Sequence, residues 1–243
     1  MELRRLLPDS ATVTVEEAAA GLRFCERAPS DRPFIAVNMV SSADGKATLE
    51  GRTAPMSAAA DRELFHLLRA QADGILVGAG TVRVERYGRV TKTDELQAAR
   101  GRAGVRPNAV AVIVSGRLDL PPDLPLLADP DCEVVVVTHS DRELSAAAAR
   151  VHHLRDALPA ALQRLRTEHG LRSLLCEGGP TLNASLFADG LVDELFLTVA
   201  PAVAGAGETL TIVEGPPLPG PVELELLTAH EADGHLFLRY AVG

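Results

Sequence analysis

The chain predicts an α/β fold, a mixed and mostly parallel central sheet flanked by helices, with an antiparallel hairpin at its C-terminus. Three observations carry that expectation. Short aliphatic, β-branched runs alternate with segments of helical periodicity, the pattern of strands joined by helical crossovers. The run Phe34-Ile-Ala-Val-Asn-Met-Val40 is a near-continuous apolar stretch of the kind a buried strand shows. Two late runs, 222–229 and 236–242, lie on either side of Ala232-Asp233-Gly234, whose Asp-Gly pair is hairpin-turn chemistry.

The elements follow in order. Residues 1–31 are set apart as an N-terminal extension and 32–243 as one domain. After the strand at 34–40, Ser57 reads as the N-cap of a helix carrying Leu64, Leu67, Leu68 and Ala72, with Asp61 and Glu63 suiting its first turns. Strands are expected at 74–77, 109–114 and 133–137, each bounded by Gly, Pro or Asp. The polar, arginine-rich stretch 86–107 reads as a loop or a loose helix, and alanine-rich 144–149 as a helix. A helix at 156–169 stops at Gly170, and a strand follows at 172–176. Pro180 sits near the first turn of a helix to Ala188, and Glu194 to Val199 is another strand. Gly/Pro-rich 205–221 is a surface excursion.

Composition narrows the function. With 24 Lys plus Arg against 33 Asp plus Glu, the net charge is 24 − 33 = −9, which argues against an electrostatic nucleic-acid surface. Cys25, Cys132 and Cys176 are widely spaced and form no Cys-x-x-Cys, so neither a disulfide framework nor a structural metal site is expected, and a reducing, cytoplasmic setting fits. Every apolar run falls far short of the roughly twenty residues of a membrane span. The seven histidines lack the spacing of a zinc deaminase, and neither a Gly-x-Ser-x-Gly elbow nor a Walker loop is present.

Three segments carry candidate chemistry. Ser41-Ser-Ala-Asp-Gly-Lys46 follows a buried strand. It is either a solvated turn or a set of hydroxyl, carboxylate and ammonium groups where ligands of open α/β sheets bind. Gly78-Ala-Gly-Thr81 also follows a strand. It reads as a plain strand-to-helix turn or as a backbone seat for a phosphate, although Arg83 stands where a dinucleotide loop has its third glycine. Glu177-Gly-Gly-Pro-Thr181 puts a carboxylate at a strand end, then two glycines, then a helix start. Glu177 either reads substrate donors, satisfies the helix, or pairs with an arginine. Arg69 is either a solvated charge or the partner of a phosphate or carboxylate. Lys46 and Lys92, the only lysines, both fall in segments singled out on other grounds. A glycine-rich anion site with scattered polar groups suits hydride transfer, in which a cofactor does the chemistry.

These segments, together with Leu68-Arg-Ala70, Leu76-Val-Gly-Ala-Gly-Thr-Val82 and Leu191-Val-Asp-Glu-Leu195, resemble the pyrimidine reductase family of riboflavin biosynthesis. That family is the dihydrofolate-reductase-like half of the bifunctional deaminase-reductase, and the likeness is to free-standing actinobacterial members. It runs from Arg32 to the C-terminus. It implies a cytoplasmic homodimer that uses NADPH to reduce the ribosyl group of a diaminopyrimidinone ribosylamino 5′-phosphate to ribityl. It assigns Gly78, Gly80, Thr81, Glu85, Ser115, Gly178, Gly179, Pro180, Thr181 and Leu182 to the cofactor, with Val40 and Ser41 on the nicotinamide side. Ser42, Arg69, Lys92 and Glu177 would bind substrate, with Arg69 or Lys92 on its phosphate, and Asp44, Lys46 or Glu177 would assist catalysis. Where the family has Asp-Asn-Pro or Asp-Asp-Pro, this chain has Glu85-Arg-Tyr-Gly88, and 51–57 lacks the aromatic residue often found near the nicotinamide. A dihydrofolate or dihydropterin reductase, and an NADP-binding dimeric module without turnover, are the alternatives.

Overall fold

The computed structural model describes residues 1–49, 52–146, 148–205 and 210–243. In chain order the elements are β1 (Glu2–Leu7), β2 (Ala11–Thr14), α1 (Val15–Ala18), β3 (Phe34–Ser42), α2 (Ala59–Gln71), β4 (Gly74–Gly78), α3 (Ala79–Glu85), α4 (Asp94–Arg102) and β5 (Val110–Val114). They continue with α5 (Pro125–Ala128), β6 (Glu133–Val137), β7 (Arg150–Leu154), α6 (Leu158–Thr167), β8 (Ser173–Cys176), α7 (Pro180–Ala188), β9 (Glu194–Ala200), β10 (Leu224–Ala232) and β11 (His235–Val242). The chain divides into two compact units, one of residues 1–22, 36–68 and 180–243, the other of 23–35 and 69–179.

In the first unit the strand order is β2-β1-β10-β11-β9-β3. Only β3 and β9 run parallel, with Ala36 opposite Glu194 and Ser42 opposite Ala200. The expected hairpin is β10–β11, and its turn residues Asp233 and Gly234 take φ of 50° and 76°, the left-handed pair that a two-residue type I′ turn requires. Residues 2–7 and 11–14 are strands here: β1 pairs antiparallel with β10, placing Arg4 opposite Glu231, and β2 pairs with β1. A capping box opens α1, in which the Thr14 hydroxyl accepts from the Glu17 N–H and the Glu17 carboxylate from the Thr14 N–H. Leu3, Val15, Ala60 and Phe237 pack together beneath this sheet.

The second unit holds β8-β4-β5-β6-β7. Each neighbouring pair is parallel. Parallel strands are covered on both faces, which is why Val-Ala-Val-Ile-Val of β5 is almost wholly buried instead of alternating. Its core joins Val77, Ile113, Leu124, Leu127, Val134 and Val136, each worth roughly 1.5–3 kcal/mol when fully buried. Because the strands share one direction, Gly78, Ser115 and Glu177 all fall at carboxyl ends of adjacent strands. At the amino ends, Asp73 accepts from the backbone and guanidinium of Arg172, and the Cys25 thiol lies 3.0 Å from the Ser173 hydroxyl.

Several expectations need correction. Alanine-rich 144–149 is not a helix in its described residues: the Ala148 and Ala149 N–H groups donate to Leu127 O, and the Leu144 N–H to His153 Nε2, which leaves no i→i−4 ladder. Ala147 lies outside the described residues, as do Glu50, Gly51 of the 51–57 reading and 206–209 of the 205–221 reading. Strand β7 was not expected. Ser57 does not cap α2; its hydroxyl donates to Asp61 Oδ2 at 2.5 Å, and the helix starts two residues on. Within 86–107, α4 is a regular helix whose N-cap Thr93 accepts from the Leu96 N–H.

Candidate functional site

In the first unit the turn after β3 is a closed hydrogen-bond lattice. Ser41 and Ser42 are buried at the strand's end. The Ser42 N–H donates to Lys46 O, the Lys46 N–H donates back to Ser42 Oγ at 2.9 Å, and Ser42 Oγ donates to Asp44 Oδ1 at 2.6 Å. Asp44 also accepts from the Ala204 N–H at 3.0 Å and the Gly205 N–H at 2.8 Å. The Ser42 hydroxyl above all, then these two amides, hold the Asp44 carboxyl down to about 2. The turn is stitched to a second segment by the Ala43 N–H on Ala202 O and the Ala47 N–H on Leu210 O. The half-buried Lys46 ammonium makes no hydrogen bond or ion pair with a described residue. Val40 is buried with Met56 and Ala200. At the start of α7, Pro180 O accepts from the Glu214 N–H, Thr181 is exposed and Leu182 is buried.

The second unit brings together two glycine turns. The Gly78 N–H donates to Gly178 O at 2.8 Å, and the Gly179 N–H to Thr81 Oγ1 at 3.1 Å. Gly178 has φ +88°, and a Cβ on Gly179 would meet Thr81 Oγ1 at 3.3 Å, so side chains there would strain or crowd the junction. At Gly80 the same added atom would meet open space. Gly78 caps α3 without a side-chain bond, and no acidic residue stands in that helix's first turn. Bare backbone, a hydroxyl and no nearby carboxylate in the first turn fit the phosphates of a nicotinamide nucleotide. Ser115 is buried at the end of β5, whereas Glu85 and Lys92 are exposed.

Next to these turns lies a three-residue polar cluster. Arg69, in the last turn of α2, grips Glu177 with both prongs: Nε to Oε1 and Nη2 to Oε2, each at 2.6 Å. Glu177 is thus the partner of an arginine, one of the readings its sequence left open. The side chains are 14% and 3% exposed, so the pair is desolvated. Burial works against the Arg69 charge, but the facing Glu177 carboxylate outweighs it and the guanidinium's pKa is raised. Tyr87 donates to Glu177 Oε2 at 2.5 Å, and burial first, then the Glu177 charge, pushes its phenol well above the ordinary range. Arg100, wholly buried, donates to the carbonyls of Arg69, Arg106 and Pro107. Tyr87 and Arg100 were not among the expected site residues. The signal for Tyr87 was its place in the stretch that departs from the family pattern, while Arg100 looked like one more arginine in a basic segment. Among the described residues no three His, Cys, Asp or Glu converge as metal ligands, and no helix is long and apolar enough to cross a membrane.

Glycine turns touching at the carboxyl ends of adjacent parallel strands, beside a buried polar cluster, define an α/β protein with a ligand site at its strand ends. The chain belongs to the RibD C-terminal domain family, whose pattern matches residues 33–237. It is 33% identical over 192 residues to a 2,5-diamino-6-ribosylamino-4(3H)-pyrimidinone 5′-phosphate reductase of Archaeoglobus fulgidus, covering 76% of this chain and 87% of that one. A protein of the same name from Methanothermobacter thermautotrophicus is 29% identical, with 87% and 99% covered. Among solved structures, a pyrimidine reductase-like protein of Corynebacterium diphtheriae superposes with a TM-score of 0.79 at 25% identity, covering 95% of this chain and 99% of that one.

Proposed function

We propose that the chain is an NADPH-dependent reductase of riboflavin biosynthesis that reduces the ribosyl group of a (di)aminopyrimidinone ribosylamino 5′-phosphate to ribityl by hydride transfer. The observation that carries this reading is the junction of the two glycine turns, Gly78 on Gly178 and Gly179 on Thr81, next to the buried Arg69–Glu177 pair. Family membership and the relatives' names support the substrate class.

Bound at these turns, a nicotinamide cofactor supplies the hydride. Gly78, Gly80, Thr81, Ser115 and 178–182 would line its phosphates and ribose, with the Thr81 and Ser115 hydroxyls as donors, Glu85 would flank them, and Val40 and Ser41 would serve the nicotinamide side. Ser42, Arg69, Lys92 and Glu177 serve the substrate, and near-attack positioning lowers the barrier without a covalent intermediate. Of Asp44, Lys46 and Glu177, the two carboxylates already accept three hydrogen bonds each. Proton donation therefore falls to Lys46, with Asp44 and Glu177 fixing geometry. We take residues 32–243 to work as one reductase domain with 1–31 as its extension, as a homodimer in the cytoplasm.

The test is anaerobic NADPH oxidation with enzymatically generated diaminopyrimidinone ribosylamino 5′-phosphate, the product identified by mass. NADPH consumption matched by a ribityl product two hydrogens heavier is the expected result. Oxidation with dihydrofolate or a dihydropterin alone would replace the substrate, and NADPH binding without turnover of any of them would leave a binding module.

A further inference from the structure

The Glu177 carboxylate is more fully occupied than a free substrate ligand would be. A carboxylate offers about four lone-pair positions. Arg69 Nε takes one on Oε1, Arg69 Nη2 one on Oε2, and the Tyr87 hydroxyl the other on Oε2. Among the described residues one position remains without a donor, on Oε1. Three separate elements meet at this carboxylate: the end of α2, the turn after α3, and the end of β8. Tyr87 is aimed there by its backbone. Arg86 ends α3 in the left-handed region with φ 46°, the Tyr87 N–H donates to Val82 O, and Tyr87 O accepts from the Leu126 N–H. Its ring edges the apolar core around Val82 and Leu124 and carries the Arg69 guanidinium 5.9 Å from its centroid.

We propose that Tyr87 is a positioning and specificity-determining residue: by holding Oε2 of Glu177 it leaves a single acceptor position, on Oε1, for a hydroxyl or N–H donor of the substrate. The inference rests on the reductase reading for its substrate and on geometry alone for the Tyr87–Glu177 coupling. An acceptor fixed from three sides, inside a desolvated pair, rewards a ligand that brings a donor and penalises one that brings only an acceptor. Removal of the phenol hydroxyl frees the second position on Oε2 and loosens the carboxylate about the Arg69 axis.

The sequence makes this readable by light, because Tyr87 and Tyr240 are the only tyrosines and there is no tryptophan. In a Tyr240→Phe background, tyrosinate absorbance reports Tyr87 alone, and the charged groups facing it are Glu177 and Arg69. Tyr87 is expected to resist ionisation as far as the protein stays folded, and Glu177→Gln to bring its ionisation down toward the ordinary range. Ionisation of Tyr87 in the ordinary range with Glu177 intact would overturn the coupling. In turnover, Tyr87→Phe is expected to raise KM for the pyrimidine about tenfold while KM for NADPH moves little, with a lower melting temperature from the buried acceptor it leaves short of a partner. Unchanged pyrimidine KM and kcat in Tyr87→Phe, with the parent protein active, would overturn the positioning role. If the parent protein does not reduce the pyrimidine at all, the reductase reading fails, and the optical titration by itself still upholds or overturns the coupling.

Discussion

Arg100 Nη1 donates to the backbone carbonyl of Arg69 at 2.5 Å, so one arginine fixes the main chain of another whose side chain grips Glu177. Arg100 is wholly buried and, among the described residues, spends its donors on carbonyls of the α2 end and of the loop after α4. Burial lowers its pKa to about 10, which still leaves it charged at neutral pH. Its planar fork is what reaches several carbonyls at once.

Arg100→Met therefore strips partners from buried carbonyls and is expected to destabilise the fold by about 3 kcal/mol or more in urea unfolding. Arg100→Lys is expected to recover only part of that loss, because an ammonium on a flexible stem cannot span the same acceptors. Stability within experimental error of the parent in Arg100→Met would contradict the anchoring role.

The Arg69–Glu177 pair gives a second expectation. With both side chains largely removed from water, either Arg69→Met or Glu177→Gln leaves an uncompensated buried group and is expected to cost about 3 kcal/mol. The double variant is expected to cost about as much as one single change, since the second substitution removes the group the first orphaned. Strictly additive losses across that double-mutant cycle would mean that the two groups do not depend on each other.

How much of this could be read beforehand differs from residue to residue. Strand β5 was legible because burial on both faces writes Val-Ala-Val-Ile-Val directly into the chain. Strand β7 was not, because Arg150, His152 and His153 fill three of its five positions at the edge of the unit's sheet. The alanines of 144–149 favour a helix locally, and the Leu127 carbonyl overrides them by claiming two of their N–H groups. The glycine turns and Glu177 stood out because turn and strand-end chemistry is local. The Tyr87 contact spans 90 positions and that of Arg69 spans 108, and no spacing rule reaches so far. Thus the glycine turns, Arg69 and Glu177 were visible in the sequence, while Tyr87, Arg100 and the pairing of these groups were not.

Thr81 links the two glycine turns, since its hydroxyl accepts the Gly179 N–H. Thr81→Ala removes that acceptor and leaves the turn after β8 without its tie to α3. The expected result is about tenfold weaker NADPH binding by calorimetry, the worth of roughly one hydrogen bond, with the melting temperature nearly unchanged because Thr81 is only half-buried. Equal NADPH affinity in the variant would remove Thr81 from the cofactor site.

Asp44 sets a pH signature on the turn after β3. Its carboxyl is held at about 2 against an ordinary 3.8, chiefly by the Ser42 hydroxyl and then by the Ala204 and Gly205 amides. A carboxyl depressed in the folded state stabilises the fold in full above its unfolded value and loses that contribution as the pH falls through its folded value. The melting temperature of the parent protein should thus exceed that of Asp44→Asn at pH 5, and the gap should close progressively between pH 3.8 and about 2. Because the carboxylate lies at the surface, added salt should narrow the gap as well. A gap that stayed constant down to pH 2 would show that Asn makes the same turn badly for reasons of shape, and that the charge of Asp44 does not hold the 202–205 segment.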